Sequence, residues 1–256
     1  KLSWNYLKDK PLNTLLNILL MSLGIAIILV LILLSTQLEE NLGKNKRGID
    51  LVVGAKGSPL QLILANVYHI DFPTGNIKLD EAKSLTRNRL VKSTIPLALG
   101  DSYQGYRIAG TNHDYVNLYE GEIASGELWS YNLDVVLGSN VAKGLGMQVG
   151  DEFFGSHGMS DTNIDHDEKS YQVVGILSAS GSVLDNLILT NIESVWAVHD
   201  HEEEHEHEEG EEHDHEKVLG SAYKTGLPEG DADDEITSLL VKYRSPMGAV
   251  QMPRMV

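Results

Sequence analysis

"DVVLGSNVAKGLGMQVGDEFF", residues 134 to 154, followed by "YQVVGIL", residues 171 to 177, is the stretch that decides the fold. The apolar run after Asp134 predicts a short buried strand, and Ser139 is placed to cap a helix that follows it. The glycines at 144, 146 and 150 are typical of turns, and "DEFF" and "YQVVGIL" predict two further strands. Short strands alternating with short helices predict an α+β body.

The flanking sequence repeats this pattern. "DLVVGAKGSPLQLILANVYHI", residues 50 to 70, predicts a strand, a turn and a helix with Ser58 at the N-cap and Pro59 in its first position. "DEITSLLVKY", residues 234 to 243, predicts one late strand. We therefore expect a two-lobed domain over residues 36–256, in which residues 114–198 form an inserted lobe.

An apolar run precedes this domain. Leu12 to Leu34 is almost entirely aliphatic, and 23 residues of helix reach about 34 Å, enough to cross a membrane. A core helix would keep a polar stripe, and a signal peptide would be shorter and carry a cleavage site. Residues 1–35 are thus predicted to be an amphipathic segment and a transmembrane helix. Three basic residues precede the run, and three follow it at a distance, behind Glu39 and Glu40, so the charges favour a cytoplasmic N-terminus only weakly.

Composition excludes several classes of protein. The formal net charge is −17, but eleven of the 37 acids lie in residues 199–216. The rest of the chain has 26 acidic and 20 basic residues, which is an ordinary balance. No basic patch is available for nucleic acid, so no nucleic-acid partner is expected. The chain has no cysteine, which excludes disulfides and thiolate metal sites.

Enzyme motifs are not found. "GAKGSP" lacks the Lys-Ser/Thr placement of a P-loop, so this chain is not expected to bind nucleotide. "GSHGM" and "SASGS" miss the spacing of a nucleophile elbow, and no catalytic residue is assigned. "HEEEH", residues 201 to 205, matches the zincin pattern formally, but its acidic flanks offer no apolar face to pack a helix.

"HDHEEEHEHEEGEEHDHE", residues 199 to 216, holds six of the ten histidines. Its H-x-H pairs put imidazoles on one side of an extended segment, and neutral imidazole suits Zn²⁺, Cu²⁺ or Ni²⁺. A metal-binding loop, a pH-responsive loop and a merely solvated acidic loop all fit the composition. The predicted metal ligands are His199, His201, His205, His207, His213 and His215, with His157 and His166 as second choices.

The layout resembles the MacB/FtsX-type ABC transporter permeases, including the lipoprotein-releasing kind, over nearly the whole chain. The stretches that carry the resemblance are "LSWNYLKDKPLNTLLNILLMSLGIAI", "DLVVGAKGSPLQLIL", "IAGTNHDY" with "GEIASGELW", and "DVVLGSNVAKGLGMQVGDEFF" with "YQVVGIL".

This resemblance implies a MacB-like periplasmic core domain outside the bacterial inner membrane and a cytoplasmic N-terminus. It implies a separate cytoplasmic ABC ATPase, a second permease copy or homologous permease as partners, and three later transmembrane helices that this sequence lacks. The His/Glu-rich segment does not belong to the family pattern. The resemblance assigns no substrate-binding residues.

The alternative interpretation is a single-span, membrane-anchored metal sensor or metal-binding protein. It needs only the apolar helix, the outer domain and the His/Glu-rich segment, and it has no ATPase partner. An adjacent ATPase gene or further apolar runs in the full-length protein would favour the permease.

Overall fold

A computed structural model describes residues 11–45, 48–155, 170–204, 223–231 and 234–252, with only the backbone of residues 40–42 and 199–204. The chain forms two compact units, Lys1–Lys44 and Asn45–Val256. The second unit mixes helices and strands, so the predicted α+β class is confirmed.

The described part of the first unit is a helix that contains the predicted apolar run and continues into the polar residues after it. Helix α1 is long and apolar enough to cross a membrane, and none of its apolar window is buried. It extends past the boundary expected at residue 35, because the polar residues 35–45 are helical as well. The helices are α1 (Pro11–Asn45), α2 (Pro59–Asn66), α3 (Leu79–Thr86), α4 (His113–Leu118), α5 (Ser139–Leu145), α6 (Ile192–Glu204) and α7 (Met247–Gln251), with a 3₁₀ turn at Val183–Asn186.

Most of the strands form one sheet. Within the described residues it has nine strands, in the order β1-β11-β3-β4-β9-β6-β8-β5, with β7 paired to β8. Strands β2 and β10 form a separate antiparallel pair. The strands are β1 (Leu51–Gly54), β2 (Ile77–Lys78), β3 (Val91–Tyr103), β4 (Tyr106–Gly110), β5 (Ile123–Gly126), β6 (Asp134–Leu137), β7 (Glu152–Phe154), β8 (Ser170–Leu177), β9 (Leu187–Thr190), β10 (Glu235–Ile236) and β11 (Ser238–Tyr243).

Strand β3 connects the two halves of this sheet. Its first part pairs with β11 and its last part with β4, and the register shifts between Leu99 and Ser102. Strand β4 then pairs in parallel with β9, which carries the sheet into β6 and β8. The segment expected as an inserted lobe, residues 114–198, therefore supplies β5 to β9 of the same sheet, and residues 45–256 form one compact unit.

Residues 134–154 and 171–177 fold as predicted except at the helix cap. Strand β6, helix α5 and strands β7 and β8 are all present, but the N-cap of α5 is Gly138 rather than Ser139. A Cβ atom at Gly138 would lie 2.1 Å from the Leu184 carbonyl oxygen, so only glycine fits. The prediction that Ser139 caps the helix is wrong: the N-cap is residue 138, where the close approach of the 3₁₀ turn requires glycine.

The late strand is also divided. "DEITSLLVKY" was expected to be one strand, but β10 ends at Ile236 and β11 begins at Ser238. Thr237 donates its N–H to the Leu97 carbonyl at 2.8 Å, and its hydroxyl accepts from the Leu99 N–H at 2.8 Å. Because Thr237 bonds to β3 at this point, the chain passes from one sheet to the other.

Two glycines that flank α5 test this packing. Gly138→Ala should destabilise the protein by about 3 kcal/mol, because the methyl group meets main-chain atoms that cannot move aside. Gly146 has φ of 68° and nothing within 4 Å of an added Cβ, so Gly146→Ala should cost only about 1 kcal/mol of backbone strain.

The measurement is the thermal unfolding temperature of each variant in the same detergent. We expect a decrease of about 6–12 °C for Gly138→Ala and about 2–4 °C for Gly146→Ala. Equal decreases would show that the contact with the 3₁₀ turn is not tight.

Candidate functional site

The predicted metal ligands are only partly placed by the structure. Helix α6 extends to Glu204, so the first six residues of the expected loop are helical, and residues 205–216 lie outside the described residues. The helix is anchored by Ile192 and Val195, which are buried in the core. Among the residues whose side chains are described, no group of three His, Asp or Glu could hold a metal. Of the predicted ligands, only the backbone of His199 and His201 is described; His205, His207, His213, His215, His157 and His166 lie outside the described residues.

The chain that follows the His/Glu-rich segment is bound to the body. We call residues 223–231 the return segment. The carbonyl of Lys224 accepts from the His113 N–H at 2.9 Å, and the carbonyl of Gly226 accepts from the Asn112 side chain at 2.7 Å. Tyr223 lies beside Glu193, with which it lines a small cavity, and burial raises the pKa of the Glu193 carboxyl. Both sides of the His/Glu-rich segment therefore begin from fixed positions.

A second arrangement surrounds Asn45, the last residue of α1 and the first of the compact body. The Tyr119 hydroxyl donates to the Asn45 carbonyl at 2.8 Å. The Asn45 side-chain oxygen accepts from the Val183 N–H at 3.0 Å. The carbonyls at the end of a helix lack helical partners, and here a side chain supplies one. We call these two hydrogen bonds the helix-end clamp.

The clamp continues into a chain of side-chain contacts. The ring of Tyr119 lies edge-to-face against the ring of the buried Tyr115, with the ring centroids 5.2 Å apart. The Tyr115 hydroxyl in turn lies 2.7 Å from Nε2 of His69, within hydrogen-bond distance. These contacts connect His69 through Tyr115 and Tyr119 to Asn45.

Burial fixes the charge state of this chain. Desolvation, with a smaller contribution from the Arg107 guanidinium, lowers the pKa of His69 to about 3. Desolvation raises the pKa of Tyr119 to about 12 and that of Tyr115 well above its usual value. All three side chains are neutral at physiological pH. The chain can therefore position Asn45, but it offers no activated nucleophile or base.

His69 has two further marks of a constrained position. Its φ is 55°, a left-handed conformation that costs a non-glycine residue about 1 kcal/mol or more. Its Nδ1 is buried and has no hydrogen-bond partner among the described residues. The surrounding packing must stabilise this conformation, which is typical of a position held for function.

The sequence contains little sign of this arrangement. Tyr115 and Tyr119 are four residues apart, the spacing that places two side chains on one side of a helical turn. Asn45 and His69 are 74 and 46 residues distant from their tyrosine partners. No local pattern predicts such contacts.

The pH dependence of stability should identify His69. Its folded-state pKa is below the unfolded value of about 6.5, so the unfolded chain gains a proton first as the pH falls. Its contribution to stability is complete above pH 6.5 and should decrease by about 2 kcal/mol between pH 7 and pH 5.

The measurement compares thermal unfolding of the parent chain and His69→Gln at both pH values. The acids contribute equally in both proteins, so the parent should lose about 4–8 °C more than the variant. If both lose the same amount, His69 is not held neutral in the folded state.

Comparisons with known proteins give the family. Residues 14–245 match the family described as the MacB-like periplasmic core domain. No curated protein sequence matches the chain significantly.

Two solved structures are similar in outline. The crystal structure of the periplasmic region of MacB from Actinobacillus actinomycetemcomitans has 15% identity and a TM-score of 0.46, and the match covers 82% of this chain and 83% of that one. The extracellular domain of the noncanonic ABC-type transporter YknZ from Gram-positive bacteria has 10% identity and a TM-score of 0.44, with 77% and 84% covered.

The family match covers most of the sequence and includes both the apolar helix and the sheet. The chain therefore belongs to the MacB-like periplasmic core domain family and carries that domain of a MacB/FtsX-type ABC transporter permease.

Proposed function

We propose that the chain is the permease subunit of an ABC transporter that works with a separate cytoplasmic ATPase and a second permease copy or homologous permease. The observation that carries the proposal is the family match over residues 14–245. Helix α1, which is apolar on every side, would cross the bacterial inner membrane and place the body outside it. The permease itself would have no catalytic residues.

The helix-end clamp is the proposed point of mechanical coupling. Movement of α1 driven by the ATPase reaches the body first at Asn45, because this residue ends the helix and begins the body. The clamp holds Asn45 by its carbonyl and by its side chain. Loss of either bond leaves a polar group without a partner, which costs about 1–3 kcal/mol when the group is buried.

This proposal makes two predictions. The ATPase should copurify with the full-length permease, and Asn45→Ala should weaken the transmission of movement from α1 to the body. The chain has no cysteine. Lys143→Cys, at an exposed position of α5, would therefore carry a single spin label per copy. In the complex in nanodiscs, ATP should change the distance between the two labels. Asn45→Ala should reduce that change at least about twofold, because it removes the side-chain bond of the clamp and leaves only the bond to the main-chain carbonyl, while ATP hydrolysis continues.

The matched control is Asn117→Ala, an exposed asparagine on α4, which should leave the change intact. An identical change in Asn45→Ala would contradict the role of the clamp but not the transporter. Failure of any ATPase to copurify would contradict the transporter and favour a single-span sensor.

We also propose that residues 199–216 bind Zn²⁺, or Cu²⁺ or Ni²⁺, outside the cytoplasm. The support is the density of imidazoles and carboxylates in a segment whose two sides are anchored, by α6 and by the return segment. In helical geometry His201 and His205 would share one side, and the H-x-H pairs would do so in extended geometry. Such a segment could sense or buffer metal beside the transporter.

A zinc titration of the full chain by calorimetry tests this proposal. Replacing the six histidines with glutamine should abolish binding, and the parent's affinity should decrease as the pH falls through about 6.5, because protons compete for the ring nitrogens. A control that replaces six glutamates of the segment with glutamine should still bind. Unchanged binding by the histidine variant would place the ligands elsewhere, with His157 and His166 next in order.

A further inference from the structure

A cleft lies between the end of helix α3 and the return segment. Its volume is about 540 Å³, which is within the usual range for small-molecule sites. Leu227 and Pro228 give it an apolar wall, and Thr94 and Tyr223 contribute hydroxyl groups. Nothing in the family assignment or in the His/Glu-rich segment requires this cleft.

Two cationic side chains line the cleft, Lys83 on helix α3 and Arg87 at the C-cap of that helix. The Lys83 ammonium donates to the Gly230 carbonyl at 3.0 Å, which fixes its position on the wall of the cleft. The Arg87 guanidinium makes no hydrogen bond or ion pair with any described residue. Glu229 is the one acid among the lining residues, and it is exposed. The lining residues therefore carry one net positive charge, within a protein that is otherwise strongly acidic.

Hydrogen-bond donors are also in excess here. Pro228 has no N–H, and none of the main-chain N–H groups of the other residues from 224 to 230 donates to another described residue. The carbonyls of this segment, by contrast, accept three hydrogen bonds from described residues, at Lys224, Gly226 and Gly230. A ligand rich in acceptors would complement these groups, because unpaired donors and cations favour an anion.

We propose that this cleft binds an organic phosphate, an oxyanion attached to an apolar group. The oxyanion would lie between Lys83 and Arg87, where the fork of the guanidinium can hold two of its oxygens. The apolar group would contact Leu227 and Pro228. The same chemistry is presented by a small soluble phosphate ester and by a phospholipid head group.

The test uses the full chain in phosphatidylcholine nanodiscs, with phenyl phosphate as the probe. The ring of Trp196 packs against Gly230, where an added Cβ would be 3.0 Å from it, so tryptophan fluorescence should report occupancy and calorimetry should give the affinity. Arg87→Gln should weaken binding at least about tenfold, because it removes a charge-assisted bidentate contact. Glu229→Gln should strengthen binding several-fold by removing a repulsive charge.

The matched control is Arg89→Gln, an exposed arginine two residues further on that does not line the cleft. It should bind within about twofold of the parent. Equal binding by the Arg87 and Arg89 variants, or no saturable binding by the parent, would overturn the proposal and leave Lys83 and Arg87 as charges that stabilise the end of α3.

Two further probes distinguish the sources of the phosphate. Tighter binding of soluble dihexanoyl phosphatidic acid than of phenyl phosphate, lost in Arg87→Gln, would identify a lipid head group. Binding of phenyl phosphate at least as tight as that of the lipid, with the same loss, would identify a small soluble ester. Binding of inorganic phosphate as tight as that of phenyl phosphate would overturn the proposal, because the apolar group would then contribute nothing.

Discussion

Strand β3 is the element on which the rest of the body depends. It is thirteen residues long and uses its main-chain groups to hold β11 along one part and β4 along the other. Without β3, the strands that pair with its two parts would belong to two smaller sheets, each with an exposed edge. Because β4 passes the sheet on to β9, everything from β5 to β9 depends on this one strand.

The local structure was largely predictable, because it is encoded by neighbouring residues. The cap of α2 at Ser58 was correctly predicted: its side chain accepts from the Gln61 N–H, and proline follows it directly. The cap of α5 was predicted one residue late, because the need for glycine at residue 138 arises from Leu184, which is distant in sequence. Likewise, only the contact of Thr237 with β3 explains why the last strand is divided.

The candidate site was much less predictable than the fold. Its members, His69, Tyr115, Tyr119 and Asn45, are polar residues that meet only once the sheet and helices have formed. Composition drew attention to residues 199–216 instead, where charge and histidine are concentrated. The two regions differ in kind: the clamp is neutral and buried, whereas the His/Glu-rich segment is charged and too polar to enter a core. The return segment links that segment to the cleft, since the same main chain that leaves the histidines forms one wall of the cleft.

The helix-end clamp is made of neutral groups, and this has a consequence for the conditions under which it holds. A hydroxyl, a carbonyl, an amide oxygen and a main-chain N–H carry no net charge, so neither bond of the clamp should weaken as ionic strength rises. A surface ion pair in the same place would be screened by salt. The joint should therefore be insensitive to the ionic strength of the surrounding solution.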